Sequence, residues 1–118
     1  MEADLALLDC SSLIELWLGG NKLKSMNLSP LSSAANLRVL DLSRNGFIEL
    51  DISPLSNCTK MLRLSFEGNS IIHLDLSPIM EIEALQILNV GGNNLDSKSM
   101  AIVGDFVRKH PNCNFRGI

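Results

Sequence analysis

Residues 37–47 read LRVLDLSRNGF, and the same pattern opens at Leu13 as LIELWLGGNKL, at Met61 as MLRLSFEGNSI and at Leu85 as LQILNVGGNNL. The four starting positions are evenly spaced, and each segment fits LxxLxLxxNxL with conservative apolar exchanges. The second halves, KSMNLSPL, IELDISPL and IHLDLSPI, agree in three of the four units, and the fourth departs after Leu95. A constant period of this kind marks a repeat architecture, in which each unit buries its apolar face only by stacking on its neighbours. Alternation at Leu16, Trp17, Leu18 and at Leu40, Asp41, Leu42 predicts one strand per unit with the leucines on one side. Because every unit presents the same inward face one period later, the strands must lie side by side and run parallel.

Over nearly the whole chain this pattern resembles the leucine-rich repeat family, whose signature is LxxLxLxxN followed by a variable convex segment. The resemblance implies an α/β fold: a right-handed solenoid with a short parallel concave sheet and short convex helices or 3₁₀ turns. Asn21, Asn45, Asn69 and Asn93 recur just after each strand, where the chain turns into the core and leaves backbone groups without ladder partners. The family resemblance gives them a structural, hydrogen-bonding role. The pairs Ser29-Pro30, Ser53-Pro54 and Ser77-Pro78 read as helix starts, with Ser as N-cap and Pro at the first helical position. Behind them Ala34, Cys58 and Ile82 share one inward position, and Cys10 occupies the same position one period ahead of Ala34. A small apolar side chain packed under the convex turn explains both cysteines better than a reactive or metal-binding thiol.

The two ends differ from the middle. Residues 1–118 form one domain, in which 1–12 read as a partial repeat or N-terminal cap, with a short capping helix at Leu5, Ala6, Leu7 and Leu8. Full repeats occupy 13–36, 37–60 and 61–84, and 85–118 form a last repeat with a capping helix and an edge strand. Asp96 or Ser97 caps that helix, Met100, Val103, Phe106 and Val107 supply its apolar face, and Pro111 stops it. Cys113 and Phe115 follow Leu88 and Val90 at close to one repeat period, which predicts a fifth strand with Cys113 turned inward.

Composition narrows the function. A chain of 118 residues with 46% hydrophobic and 19% charged residues is globular. Its net charge of −3 argues against nucleic acid or an anionic membrane as partner. No apolar run approaches a membrane span, and the opening MEADLALLDCSS lacks the basic start of a secretory signal. Three widely spaced cysteines without a CxxC suit a reducing compartment, and the expected location is cytoplasmic.

No catalytic constellation survives the repeat frame. His73 and His110 sit in different kinds of segment and read as solvated side chains. Gly19-Gly20 and Gly91-Gly92 resemble phosphate loops but precede the repeat asparagine instead of a helix, so tight turns explain them. Asp51 and Asp75, with Asn27 at the same position, are too sparse for a calcium array and read as solvated or backbone-capping residues. No cofactor or metal is implied, and the chain reads as a non-enzyme.

What remains is the concave surface. The residues flanking the inward leucines are Glu15, Trp17 and Gly19; Val39, Asp41 and Ser43; Arg63, Ser65 and Glu67; and Ile87, Asn89 and Gly91, with Arg38 and Arg44 at the margins. Tryptophan and arginine dominate binding hot spots because each joins a large contact area to a polar handle. The expected function is therefore a non-catalytic interaction module that takes a protein partner through Glu15, Trp17, Arg38, Asp41, Arg44, Arg63 and Glu67. The alternative is a structural segment of a longer repeat array or a self-associating scaffold.

Overall fold

The computed structural model describes residues 2, 3 and 10–117, so the capping helix expected at residues 5–8 lies outside the described part. The strands are β1 (Glu2–Ala3), β2 (Glu15–Trp17), β3 (Ser25–Met26), β4 (Val39–Asp41), β5 (Arg63–Ser65), β6 (Ile87–Asn89) and β7 (Asn114–Arg116), and helix α1 spans Ser97–Lys109. Five of them form one parallel sheet in the order β2-β4-β5-β6-β7, while β1 pairs with β3 in a separate ladder. Leu16, Leu40, Leu64 and Leu88 stand in register across that sheet, one per repeat. The chain is thus the leucine-rich repeat solenoid that the pattern predicts.

Inward leucines make the core. Leu37, Leu40, Leu42, Met61, Leu64 and Leu88 are wholly buried, as are the three largest core side chains, Phe47, Phe66 and Phe106. Full burial of one such side chain is worth roughly 1.5–3 kcal/mol. Cys10, Ala34, Cys58 and Ile82 are buried at their shared position, as the small-apolar reading requires. The first repeat is less well covered, since Leu13, Leu16 and Leu18 are only partly buried.

The convex segments are 3₁₀ turns, Ser29–Ser33, Ser53–Asn57 and Ser77–Ile79, and they correct the expected capping. The residues ahead of them are Leu28, Ile52 and Leu76, without a side-chain cap, and each Ser is already inside the turn. The oxygen comes from two residues before the Ser: Asn27, Asp51 and Asp75 accept the N–H of Ser29, Ser53 and Ser77 at 3.0, 2.9 and 2.9 Å. This Asx geometry closes the turn locally, whereas the Ser hydroxyl, two bonds from its own Cα, is too close to accept linearly from the N–H of the same residue. The donated hydrogen bonds hold the Asp51 and Asp75 carboxyls below the usual carboxylate range.

The asparagines tie one repeat to the next. Asn45 donates to the carbonyls of Leu18, Leu42 and Ser43, and its Oδ1 accepts the N–H of Asn21 at 2.9 Å and of Leu23 at 3.0 Å. Asn69, buried, does the same with the carbonyls of Leu42 and Phe66 and the N–H groups of Asn45 and Phe47.

Helix α1 begins as expected, with Asp96 as N-cap accepting the Ser99 N–H. Its buried face is nevertheless Ser99, Val103 and Phe106, while Met100 is half-buried and Val107 is exposed. The cause is Ser99, whose Oγ accepts the Leu74 N–H at 2.9 Å and donates to the Ile72 carbonyl at 3.4 Å, satisfying backbone groups of the preceding repeat. The fifth strand also forms, in a different register: Phe115 pairs with Leu88 instead of Val90, and Cys113 precedes the strand, half-buried. The longer convex path through α1 shifts the register. Cys113 N–H bonds the His110 carbonyl at 3.1 Å, the same turn that Leu37 makes with Ala34 and Met61 with Cys58. His110 therefore takes the place of the small apolar residues.

In urea titration Leu40→Ala should cost roughly 2–5 kcal/mol. Asn69→Ala should cost about 1–3 kcal/mol through its orphaned backbone partners, well above Asn21→Ala, whose bonds stay within its own turn. Equal losses at the two asparagines would contradict the ladder. Asp51 and Asp75 have folded pKa values below their unfolded ones, so they stabilise the fold above the unfolded carboxylate range and lose that contribution as pH falls through the folded values. The melting temperature should accordingly drop below about pH 4, and Asp51→Asn with Asp75→Asn, which copy Asn27, should flatten that decline.

Candidate functional site

Alternation along these short strands projects two residues per strand from the concave face, in rows fixed by register. One row is Glu15, Val39, Arg63, Ile87 and Asn114; the next is Trp17, Asp41, Ser65, Asn89 and Arg116. The structure brings three of the expected site residues into one cluster. Trp17 is 51% exposed, its Nε1 donates to Glu15 Oε1 at 2.8 Å, and the Arg63 guanidinium lies 5.7 Å from its ring centroid. Arg63 and Trp17 stand on β5 and β2, so the cation–π contact reaches across β4.

The other four expected residues are distributed around this cluster. Asp41 is half-buried and partly engaged within the chain: its Oδ1 accepts the N–H and the Oγ hydroxyl of Ser43 at 2.8 and 2.6 Å. Ser43 and Ser65, expected on the surface, are buried. Glu67 is exposed two residues past β5, and its carbonyl accepts the Arg44 N–H at 2.7 Å. Arg38 is exposed just ahead of β4, where its carbonyl accepts the N–H groups of Leu62 and Arg63.

Arg44 is exposed, with an unusual backbone. Its φ is +51°, in the column where Gly20, Gly68 and Gly92 have φ of +74°, +74° and +67°. Three repeats use glycine, for which the left-handed region costs nothing, and the second places an arginine there at a cost of about 1 kcal/mol. A Cβ on Gly68 would stand 3.1 Å from Arg44 Cγ, so that glycine also makes room for the arginine side chain.

Neither histidine is merely solvated. His73 Nδ1 lies 2.6 Å from Asp96 Oδ2, and His110 donates from Nε2 to the Met80 carbonyl at 2.6 Å while stacking on Phe106 with centroids 4.4 Å apart. Each contact has one member beyond Leu95, where the repeat frame is lost, so the columns hide it; only the Phe106–His110 spacing at the end of α1 was a readable signal. On the convex flank a groove of about 500 Å³ gathers Glu49, Asp51, His73, Asp75, Asp96 and Lys98. Three of its carboxylates are already committed to the N–H groups of Ser53, Ser77 and Ser99, and no group of residues suited to hold a metal occurs among the described residues. Burial pushes the Cys58 and Cys113 thiols up, away from the reactive thiolate.

Arg44→Gly should stabilise the domain by about 1 kcal/mol in a denaturant titration, because it removes the left-handed strain. A loss of stability would mean that the arginine side chain holds the fold.

Residues 35–95, just over half of the chain, match the family model for leucine-rich repeats. No curated protein matches the chain. Among solved structures, a leucine-rich repeat protein of Leptospira interrogans is 26% identical with a TM-score of 0.72, over 87% of this chain and 25% of that one. Internalin C2 of Listeria monocytogenes is 25% identical with a TM-score of 0.62, over 92% of this chain and 45% of that one. The internalin InlF of the same species shares the fold at 24% identity and a TM-score of 0.66, and this chain spans 31% of its length. The chain thus spans less than half the length of these neighbours. Its family-model match, its constant repeat period and its asparagine ladder carry one conclusion: the chain belongs to the leucine-rich repeat family.

Proposed function

We propose that the chain is a non-catalytic protein-interaction module that takes a protein partner on its concave sheet through Glu15, Trp17, Arg38, Asp41, Arg44, Arg63 and Glu67. The observation that carries this reading is Trp17, half exposed yet held from two sides by Glu15 and Arg63. A large aromatic fixed before binding loses little conformational freedom on contact, which is how hot spots gain affinity. The strained backbone at Arg44 supports the same face, since an arginine replaces glycine where the fold prefers glycine. Membership of a family that generally serves protein interaction agrees with the absence of a catalytic role in this reading. The module works in a reducing, cytoplasmic setting, to which the thiols of Cys10, Cys58 and Cys113 are suited.

A second reading, a segment that stacks on further repeats in an array or scaffold, is favoured by the half-covered Leu13, Leu16 and Leu18 at the first repeat.

Affinity capture from an extract of the cells that make the protein should retain a protein on the wild type and release it from a Trp17→Ala, Arg63→Glu variant with unchanged melting temperature. Equal retention by both would move the interface off the concave sheet.

A further inference from the structure

The ladder asparagines share their bonding but not the residue that follows them: Asn45 precedes Gly46, Asn69 precedes Ser70 and Asn93 precedes Asn94. The glycine matters chemically. With no Cβ on the following residue, its backbone nitrogen swings freely onto the asparagine carboxamide, so Asn-Gly is the dipeptide that cyclises fastest in an unfolded chain. Asn45-Gly46 is the one such pair in this sequence. In the folded chain all three parts of that reaction are held. The nucleophile, the Gly46 N–H, donates to the Leu23 carbonyl at 2.6 Å, and a Cβ on Gly46 would stand 3.3 Å from the same oxygen. The carbon under attack is fixed through Asn45 Oδ1, which accepts the N–H groups of Asn21 and Leu23. The leaving nitrogen, Nδ2, donates to the carbonyls of Leu18, Leu42 and Ser43. The bonds to Leu18, Asn21 and Leu23 all reach back into the first repeat, so freeing the reactive groups and opening the joint between the first two repeats are one event.

We propose that Asn45 is a covalent modification site governed by this joint: it deamidates when the joint opens, and the product keeps the joint from closing again. In the open chain the Gly46 nitrogen gives up its proton to solvent and attacks Asn45 Cγ. The bond from Cγ to Nδ2 breaks, Nδ2 takes up a proton and leaves as ammonia, and a succinimide ring remains. Water then opens the ring at one carbonyl or the other, leaving aspartate or isoaspartate at position 45. Neither product rebuilds the ladder. A carboxylate has no hydrogen to give, so the carbonyls of Leu18, Leu42 and Ser43 lose their donor and face a negative charge in its place. Isoaspartate also adds a carbon to the main chain between β4 and the wholly buried Phe47, which displaces that anchor from its seat. The first repeat carries Glu15 and Trp17, so a chain marked in this way also loses part of its concave surface, a consequence that rests on the proposed function.

Peptide mapping by mass spectrometry follows the conversion of amide to acid at each asparagine of the full chain, held at mildly alkaline pH in buffer and in urea. In urea Asn45 should convert fastest of all the asparagines, and in buffer roughly a hundredfold more slowly, the ratio reporting how seldom the joint opens. A Leu40→Ala chain, loosened in the core of the second repeat, should convert faster than wild type in buffer and equally fast in urea. An Asn45→Asp chain tests the product apart from the reaction. It should melt below an Asn45→Ala chain, because its carboxylate adds repulsion to the lost donors. Hydrogen exchange should also quicken at the Leu18 and Gly20 N–H groups, which bond across the joint to the carbonyls of Asp41 and Ser43. Slow conversion of Asn45 in urea overturns the site, and equal rates in urea and buffer overturn its control by the fold. An Asn45→Asp chain that melts and exchanges like the wild type overturns the lasting effect.

Discussion

A carboxamide that bonds its own turn and the turn before it at once holds this solenoid together. Each internal asparagine bonds carbonyls of its own turn and of the turn before it, and its oxygen takes N–H groups that the preceding strand has left behind. Those backbone groups lie where the chain dives inward and no sheet partner is available, and burying them unpaired would cost about 1–3 kcal/mol each. The bond fixes how far one turn sits from the next, and with that the stacking of the leucines and the register of the strands. Coupling therefore runs between nearest neighbours, as in other repeat arrays.

The concave face inherits its geometry from this backbone. Short strands in strict register deliver side chains as rows, and the rows bring Glu15, Trp17 and Arg63 within reach although they belong to the first and third strands of the sheet counted from its edge. Charge on the face is mixed, so it presents a pattern of both signs instead of the field of a single sign. Arg44 shows the opposite tension, in which a side chain is kept at a backbone position that favours none.

The repeat was legible because its determinants are columns. Leucine spacing identified the strands and their faces, and the recurrence of asparagine identified the turns. Where a residue acts through a partner outside its column, the sequence carried less. Ser53 read as a cap because serine commonly caps, while the oxygen belongs to Asp51 two residues earlier. Ser99 lies outside the apolar set that the helix pattern picks out, yet it is buried to bond the backbone of Ile72 and Leu74. Asp41 read as fully offered to a partner, and half of its hydrogen-bonding capacity serves Ser43. The contact of His73 with Asp96 and that of His110 with Met80 depend on the path of α1, which departs from the repeat.

The link between β6 and β7 shows where this architecture absorbs change. The path from Leu88 to its partner Phe115 is longer than the path from Leu64 to Leu88 and runs through the whole of α1, and the strands still pair in parallel. The two sides of the solenoid therefore have different mutational tolerances. On the convex side, loops can lengthen and drift during evolution without disturbing a neighbour. The concave lattice admits substitution of side chains but not insertion, so variation there exchanges residues on a grid whose spacing stays constant.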